Sequence, residues 1–399
     1  MATEGMTETS RTSSALLVAR DVGVVLDSEA DATERLGTLS PRSVDALKES
    51  ELFWILVPTE LGGQGLDVVT LMGVVEELSR ADGSSGWSFM ANASSTAIFA
   101  AYCGDEAVDA MFVGSSRPIV AGMLGPGGNC EETSGGYVGS GRYSFASGGG
   151  HADWFGGGMF VLENGKPRKL ATGAPEQRVC LVPRERVELL ANWDVMGLVG
   201  TGSYDYRIAE QFIGSDFTFE RTTLAPQRGG PTFSLGVVGV ACAGHTGVAL
   251  GIMARALNEI AALALRKKRP ASPTFVGDSE LFRQDFAYNE AAYQAARRFA
   301  FEVYADAQAT VFAGEALTEV QRQRFRQSAT FIHKVAADVV RFCYTWGGSD
   351  ALRNPSRLGR CMRDMSAATQ HIFVDPATMV GAAPALITNW AEDRRFPAR

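Results

Sequence analysis

The strongest constraint on this 399-residue chain is a change of sequence pattern at Pro118. Before that residue, apolar side chains recur at helical spacing, as in Leu71, Val74 and Leu78. From Pro118 to about Thr223, glycine becomes dense and apolar residues form short runs, which is typical of strands joined by tight turns. Helical periodicity then continues to the C-terminus. The pattern predicts a mainly α-helical protein with a central β domain.

The pattern also predicts where the domains begin and end. We expect a disordered tail over residues 1–12, an N-terminal helical domain over 13–117, a β-barrel or β-sandwich domain over 118–224, and a C-terminal four-helix bundle over 225–399. The segment GSSGW (83–87) predicts a break between two N-terminal helices. Thr318 and Gln321 form a possible capping box at the start of a C-terminal helix.

Composition excludes several classes of protein. The 37 Lys and Arg against 45 Asp and Glu give a net charge of −8, which argues against nucleic-acid binding and against docking on an anionic membrane. The six cysteines include no C-x-x-C pair, and the four histidines are far apart in sequence, so we predict no disulfide framework and no metal centre. The polar N-terminus lacks a secretory signal pattern. We therefore expect a cytoplasmic protein with reduced thiols.

One uncharged segment, residues 235–254, is long enough to be mistaken for a membrane span. It is rich in Gly and Ala, has His245 in its middle, and continues as a helical pattern beyond the length that a bilayer needs. These features favour a central helix of the bundle. We expect His245 to be a buried packing residue there.

The common cofactor and nucleophile motifs are missing from the sequence. It contains no true G-x-G-x-x-G, P-loop, H-E-x-x-H or G-x-S-x-G match, so a cofactor would need a site specific to the fold. Asp364 and Asp375 flank His371 on a predicted helix, and such a histidine could transfer a proton near neutral pH. By pattern alone, the more frequent reading is a structural histidine satisfied by hydrogen bonds.

Three segments together resemble the acyl-CoA dehydrogenase family. They are the P-x-E-x-G-G-x-G loop within 52–67, the β segment GYVGSGRYSFASGGGHADW (136–154), and RFCYTWGGSDALRNPSRLGRCMRD (341–364). The resemblance implies the order of N-terminal helices, β domain and C-terminal four-helix bundle. It also implies that the Gly-Gly loop of the third segment contacts the flavin of a neighbouring subunit, most simply in a homotetramer.

Departures from that family indicate a particular branch. Acyl-CoA dehydrogenases have a catalytic Glu nine residues after the Arg of the Arg-Asp pair, and counting from Arg363 leads to Ile372. WDVMGLVGTGSYDY (193–206) instead resembles a segment of two-component flavin-dependent monooxygenases, which oxidise phenols, steroid-derived phenols and thiophene sulfur. In those enzymes a His stands at the position of His371 and a Ser at that of Ser147.

This resemblance implies a reaction. Reduced FMN or FAD would come from a separate NAD(P)H:flavin reductase, and O2 would add to flavin C4a to form a hydroperoxide that oxidises a small, aromatic or heterocyclic substrate. Ser147 would bond near flavin N5 through its hydroxyl or its backbone N–H. His371 would deprotonate the substrate or orient the peroxide. Relatives often have a second His shortly after the Trp of the S-G-W motif, but Trp87 is followed by none.

The resemblance assigns further site residues. We expect flavin contacts from Phe145, Ala146, Ser147, Trp154, Arg269, Gly347, Gly348 and Ser349, and a substrate pocket lined by Trp87 and Asn92. Without the resemblance, Trp87 and Trp154 would be read as core residues and Arg269 as a solvated helix end. Two alternatives remain open: a dehydrogenase-like flavin enzyme with a displaced base, and a non-catalytic homologue that has lost its flavin.

Overall fold

The structure is a computed structural model that describes residues 8–114, 116–270 and 272–392. Along the chain, one group of helices precedes the strands of a central sheet and a second group follows them. The first group comprises α1 (Glu8–Leu36), α2 (Pro41–Glu49), α3 (Val68–Ala81), α4 (Gly83–Tyr102) and α5 (Asp105–Met111). The second group comprises α6 (Gly236–Ala264), α7 (Glu280–Phe312), α8 (Glu319–Gly347), α9 (Ser349–Leu352), α10 (Arg357–Ala368) and α11 (Ala377–Glu392).

The central strands form one mixed sheet in the order β6-β7-β2-β1-β3-β5-β8, with β4 paired to β3. The strands are β1 (Val120–Thr133), β2 (Gly136–Ala146), β3 (Trp154–Glu163), β4 (Lys166–Pro167), β5 (Gln177–Pro183), β6 (Val187–Leu190), β7 (Tyr204–Gly214) and β8 (Thr218–Glu220). β1 and β3 are parallel and the other neighbours antiparallel. The predicted barrel or sandwich thus takes the form of a single sheet, and the predicted mainly helical architecture is confirmed.

The uncharged segment forms α6, at the centre of the second group. The stretch Pro231–Ala264 is long and apolar enough to span a membrane by length and composition, but 89% of its most apolar window is buried inside the protein. Its glycines allow close helix contacts: a Cβ on Gly244 would lie 2.3 Å from Cγ of Met90, and a Cβ on Gly247 would lie 2.7 Å from the carbonyl oxygen of Met72. α6 is therefore packed directly against α3 and α4.

Three local predictions differ from the structure. Helix α1 already begins at Glu8, within the predicted disordered tail, while residues 1–7 lie outside the described residues. The break before GSSGW is confined to Asp82, because its carboxylate caps α4 by accepting from the backbone N–H and the hydroxyl of Ser85. The predicted capping box of Thr318 and Gln321 is confirmed at the start of α8.

The position of His371 is the third point at which the sequence prediction differs from the structure. Helix α10 ends at Ala368, so His371 does not share a helix with Asp364. It instead precedes the short 3-10 helix Ile372–Val374 and accepts a hydrogen bond there from the backbone N–H of Phe373. The chain leaves the helix at this point and turns the imidazole toward α4 and α6.

Candidate active site

Four rings from three parts of the chain meet beside α4 and α6. His245 and His371 have ring centroids 4.0 Å apart, and Trp87 meets them edge-on at 4.9 Å and 5.7 Å. Phe373 closes the group at 5.2 Å from His371 and 5.8 Å from His245. We call Trp87, His245, His371 and Phe373 the aromatic cluster. The structure thus brings the predicted site residues Trp87 and His371 together.

Both imidazoles of the cluster are neutral at neutral pH. Burial, with a smaller effect of the charge of His333, lowers the pKa of His371 to about 4. Burial and the neighbouring His371 lower the pKa of His245 well below the usual histidine value. Because Nδ1 of His371 accepts the N–H of Phe373 at 3.2 Å, its proton lies on Nε2. In this state His371 offers a ligand a donor.

A strained turn at the end of β2 exposes Phe145 next to Ser147. Phe145 has a φ of 70° and is 58% exposed, and its ring meets Trp193 edge-on at 6.2 Å. The backbone N–H of Ser147 donates to the carbonyl oxygen of Phe145 at 2.8 Å, which closes a three-residue turn around the buried Ala146. This N–H is therefore occupied within the protein, and the hydroxyl is the group that Ser147 can offer.

Ser147, Ser203 and Thr201 are linked through their side chains, and we call them the hydroxyl chain. The Oγ atoms of Ser147 and Ser203 are 2.8 Å apart, and Oγ of Ser203 lies 2.7 Å from Oγ1 of Thr201. Thr201 donates to the carbonyl oxygen of Leu198 at 2.8 Å. Since each hydroxyl has one proton, Ser203 must donate to Thr201 and Ser147 to Ser203.

This direction fixes what Ser147 can do. Its Oγ also accepts from Nε1 of Trp87 at 3.1 Å, which uses one of two lone pairs. With its proton directed to Ser203, the Ser147 hydroxyl retains one lone pair and acts as a hydrogen-bond acceptor. Trp87 thus joins the hydroxyl chain to the aromatic cluster.

Asn92, which the sequence analysis predicts to line the substrate pocket, supports Ser147. It is fully buried, and its amide nitrogen donates to the carbonyl oxygens of Val120 at 3.1 Å and of Ser147 at 3.3 Å. Its amide oxygen bonds Nε2 of His151 at 3.0 Å. Both the nitrogen and the oxygen of the Asn92 amide are therefore engaged within the protein.

Asp364 anchors the far end of the hydroxyl chain. Its Oδ1 accepts the backbone N–H of Leu198 at 2.6 Å, and Leu198 is held at a φ of 54° with its carbonyl oxygen toward Thr201. Burial, and then the neighbouring carboxylate of Asp82, raises the pKa of Asp364 to about 7. One buried carboxyl group therefore connects α10 to the loop that orients Ser147.

The position of the dehydrogenase base holds no acid. Ile372 is 71% exposed. Among the described residues, every buried carboxylate has a structural partner: Asp67 caps α3, Glu76 pairs with Arg297 and Tyr293, Asp82 caps α4 and Asp364 binds Leu198. This arrangement does not favour a displaced catalytic base.

The remaining predicted flavin residues make contacts that do not involve Ser147. Trp154 stacks on Phe217 at 6.3 Å. Arg269 stacks over Trp346 at 4.5 Å, just before Gly347 and Gly348 end α8 and Ser349 begins α9. Within the described ranges, no hydrogen bond or ring contact joins Trp154 or Arg269 to Ser147. Arg269 lies beside the segment 347–349, so these predicted flavin residues belong together.

Sequence reasoning did not assign His245, Ser203, Thr201 or Asp364 to the site. Ser203 and Thr201 lie in the segment GTGS, so that motif was a usable signal for the hydroxyl chain. His245 had no such signal, because its neighbours in sequence are those of a core helix.

Comparisons with known proteins agree with this fold. Residues 20–114 match the family model of the acyl-CoA dehydrogenase N-terminal domain, and residues 243–376 match that of the C-terminal domain. Indole-3-acetate monooxygenase of Pseudomonas putida is 30% identical over 349 residues, which cover 88% of this chain and 87% of that protein.

Two further proteins extend the comparison. The oxygenase subunit HsaA of a flavin-dependent monooxygenase from Rhodococcus jostii is 25% identical over 360 residues, covering 88% of this chain and 92% of that protein. The structure of XiaF from Streptomyces sp., solved with FADH2 and glycerol, has a TM-score of 0.86 at 20% identity and covers 98% of both chains. The chain therefore belongs to the flavin-dependent monooxygenases of the acyl-CoA dehydrogenase superfamily.

Proposed function

We propose that the chain is the oxygenase component of a two-component system that oxidises a small planar aromatic substrate, of the indole type, with O2. The observation that supports this most is the junction of two neutral imidazoles with the hydroxyl chain through Trp87. Rings and uncharged polar groups suit a flat, neutral ring system. The indole-3-acetate monooxygenase relative acts on such a ring by its name.

The exposed end of β2 fits a flavin. When bound, reduced flavin supplies the electrons that activate O2. Phe145 offers an exposed aromatic face, and Ser147 offers the acceptor that a ring N–H such as that at N5 of reduced flavin requires. Trp193 borders the same surface. FAD or FMN would satisfy these contacts equally, since they involve the shared ring system.

The protein's own groups then divide the work. Nε2–H of His371 donates to the oxygen that is being transferred. Ser147 would hold the flavin ring. The hydroxyl chain keeps the hydroxyl proton of Ser147 directed to Ser203, so that its oxygen can accept. Trp87 and Phe373 supply apolar walls that exclude water, which favours transfer to substrate over release of hydrogen peroxide.

The partners follow from the same proposal. A separate NAD(P)H:flavin reductase supplies the reduced flavin, as the name "oxygenase subunit" of the HsaA relative implies for that protein. A homotetramer would let Arg269, Gly347, Gly348 and Ser349 reach a neighbour's flavin. Exposed apolar side chains on α11, namely Val380, Ile387 and Trp390, suit such an assembly. The six unpaired cysteines, all buried, suit a cytoplasmic location.

The experiment that tests this function is anaerobic titration of the full chain with FMNH2 and FADH2, followed by mixing with isotopically labelled O2 and indole. We expect reduced flavin to bind more tightly than oxidised flavin and labelled oxygen to enter the organic product. Tight binding of oxidised FAD without oxygen transfer would favour the dehydrogenase-like alternative. Binding of neither redox state would favour the non-catalytic alternative.

Ser147→Ala should uncouple the reaction. Loss of one neutral hydrogen bond weakens reduced-flavin binding by about 0.5–1.5 kcal/mol, and more of the consumed flavin should end as hydrogen peroxide. The ratio of peroxide to oxygenated product measures this effect. Ser144→Ala, on the strand that ends just before Ser147, is the matched control, and an equal ratio in both variants would contradict the role of Ser147.

A further inference from the structure

His245 is a buried histidine that no hydrogen bond from the described residues satisfies. It is 5% exposed, its Nδ1 is buried without a partner, and neither ring nitrogen has a hydrogen-bond partner within the described part of the chain. Buried polar groups in proteins are nearly always hydrogen-bonded, because an unpaired one retains its full desolvation cost. A leucine would pack on the apolar helix α6 without that cost, so packing alone does not account for the imidazole.

The surroundings hold the imidazole in one place. α6 is in close contact with α4 and α3 on either side of His245, since a Cβ on Gly244 or Gly247 would overlap Met90 or Met72. The ring lies 4.0 Å from His371 and 4.9 Å from Trp87, both by centroid. His245 therefore belongs to the same aromatic cluster as His371, the proposed donor to the transferred oxygen.

The two imidazoles have complementary hydrogen-bonding capacity. Nδ1 of His371 is occupied by the N–H of Phe373, so that ring presents its N–H. His245 is neutral and unpartnered, so one of its nitrogens has a free lone pair. A ligand lying against both rings meets a donor on His371 and an acceptor on His245.

We propose that His245 is a catalytic residue that accepts the ring N–H of a planar aromatic substrate, while His371 donates to the oxygen. This inference rests on the proposed function and deepens it, because it names the substrate's required group: an acidic N–H on the ring. Holding that proton orients the ring and raises its electron density as oxygen is transferred.

The test compares indole with 1-methylindole, whose methyl group replaces the ring N–H. Dissociation constants of both probes are measured by calorimetry, anaerobically, on the full chain loaded with reduced flavin. Wild type should bind indole about tenfold more tightly than 1-methylindole, as one directional hydrogen bond to a buried acceptor provides. His245→Leu should bind the two probes equally, and His245→Gln, which keeps an acceptor oxygen, should recover part of the preference.

His333→Leu is the matched control, because His333 is also buried with an unpartnered nitrogen, Nε2, but its Nδ1 bonds the carbonyl oxygen of Ala329 at 2.8 Å and it makes no ring contact with the cluster among the described residues. It should keep the wild-type preference. A melting temperature of His245→Leu at or above that of wild type shows that the variant folds, and supports the view that the imidazole is not there for stability.

Two outcomes overturn the inference in distinguishable ways. If wild type prefers indole and His245→Leu keeps the same preference, the ring N–H binds another acceptor. The role proposed for His245 is then wrong, while the proposed function stands. If wild type binds neither probe with reduced flavin present, the indole-type substrate itself is wrong, and the role of His245 is overturned with it.

Discussion

Replacing His371 with alanine is expected to lower the rate of oxygenated product formation by about 10²–10³, the usual effect of removing a preorganised donor to a reacting oxygen. Reduced flavin should still bind and still be reoxidised by O2, because Phe145, Ser147 and the hydroxyl chain are untouched. The missing product should appear as hydrogen peroxide. Product and peroxide are measured in the same single-turnover reaction.

His371→Gln is the informative companion variant, since its amide N–H can take the place of Nε2–H. Partial recovery of product with Gln and none with Ala would assign the effect to the donor. A wild-type product yield in His371→Ala would show that His371 is structural. Its role would then be to accept the backbone N–H of Phe373.

The aromatic cluster and the hydroxyl chain contain many hydrogen bonds and no ionised group. The two imidazoles are neutral, and the three hydroxyls form one directed chain. The side chain of Trp87 links the two sets, because its Nε1–H donates to Ser147 and its ring contacts both imidazoles. Apart from His245, each of these side chains is fixed by a hydrogen bond to a neighbour, so little reorganisation is needed when charge develops in the reaction. Buried networks of this kind are rigid only if every member is satisfied. The unsatisfied imidazole of His245 is therefore the point at which a ligand completes the network.

The fold could be predicted because its pattern is local. The alternation of helical periodicity with Gly-rich apolar runs identifies the helices and the sheet, and the Thr318 capping box marks a helix start that the structure confirms. The break predicted at GSSGW lies instead at Asp82, because Asp82 caps a helix that includes both serines of that segment. Here, side-chain capping outweighed the intrinsic preference of Gly and Ser.

The site could be predicted only in part, because its members meet by tertiary contact. Ser147 and His371 were predicted only through the family resemblance. His245 was not, since its neighbours on α6 indicate nothing but a core helix, and its contact with His371 depends on the turn after α10. The place of Asn92 in a substrate pocket stays a prediction, because its helix faces both the sheet and the cluster and the sequence does not tell which side the amide occupies.

Asp364→Asn is expected to become more stable relative to wild type as the pH rises from about 4 to about 7. Burial and the neighbouring Asp82 raise the pKa of Asp364 from 3.8 to about 7. Between these two values the folded protein holds a proton that the unfolded chain has lost, so the contribution of Asp364 to stability falls as pH rises through the window. At about 1.4 kcal/mol per pKa unit, the limit is ~4 kcal/mol.

Thermal unfolding of both proteins across that pH range measures the difference. The asparagine keeps an oxygen for the N–H of Leu198, so the hydroxyl chain and the ratio of product to peroxide should be preserved. Asp364→Ala removes that acceptor and should lose stability by about 1–3 kcal/mol, and release more peroxide, because Leu198 no longer fixes Thr201. A pH-independent difference between Asp364→Asn and wild type would mean that Arg360 keeps Asp364 ionised throughout, and that the far end of the hydroxyl chain is held by a charge.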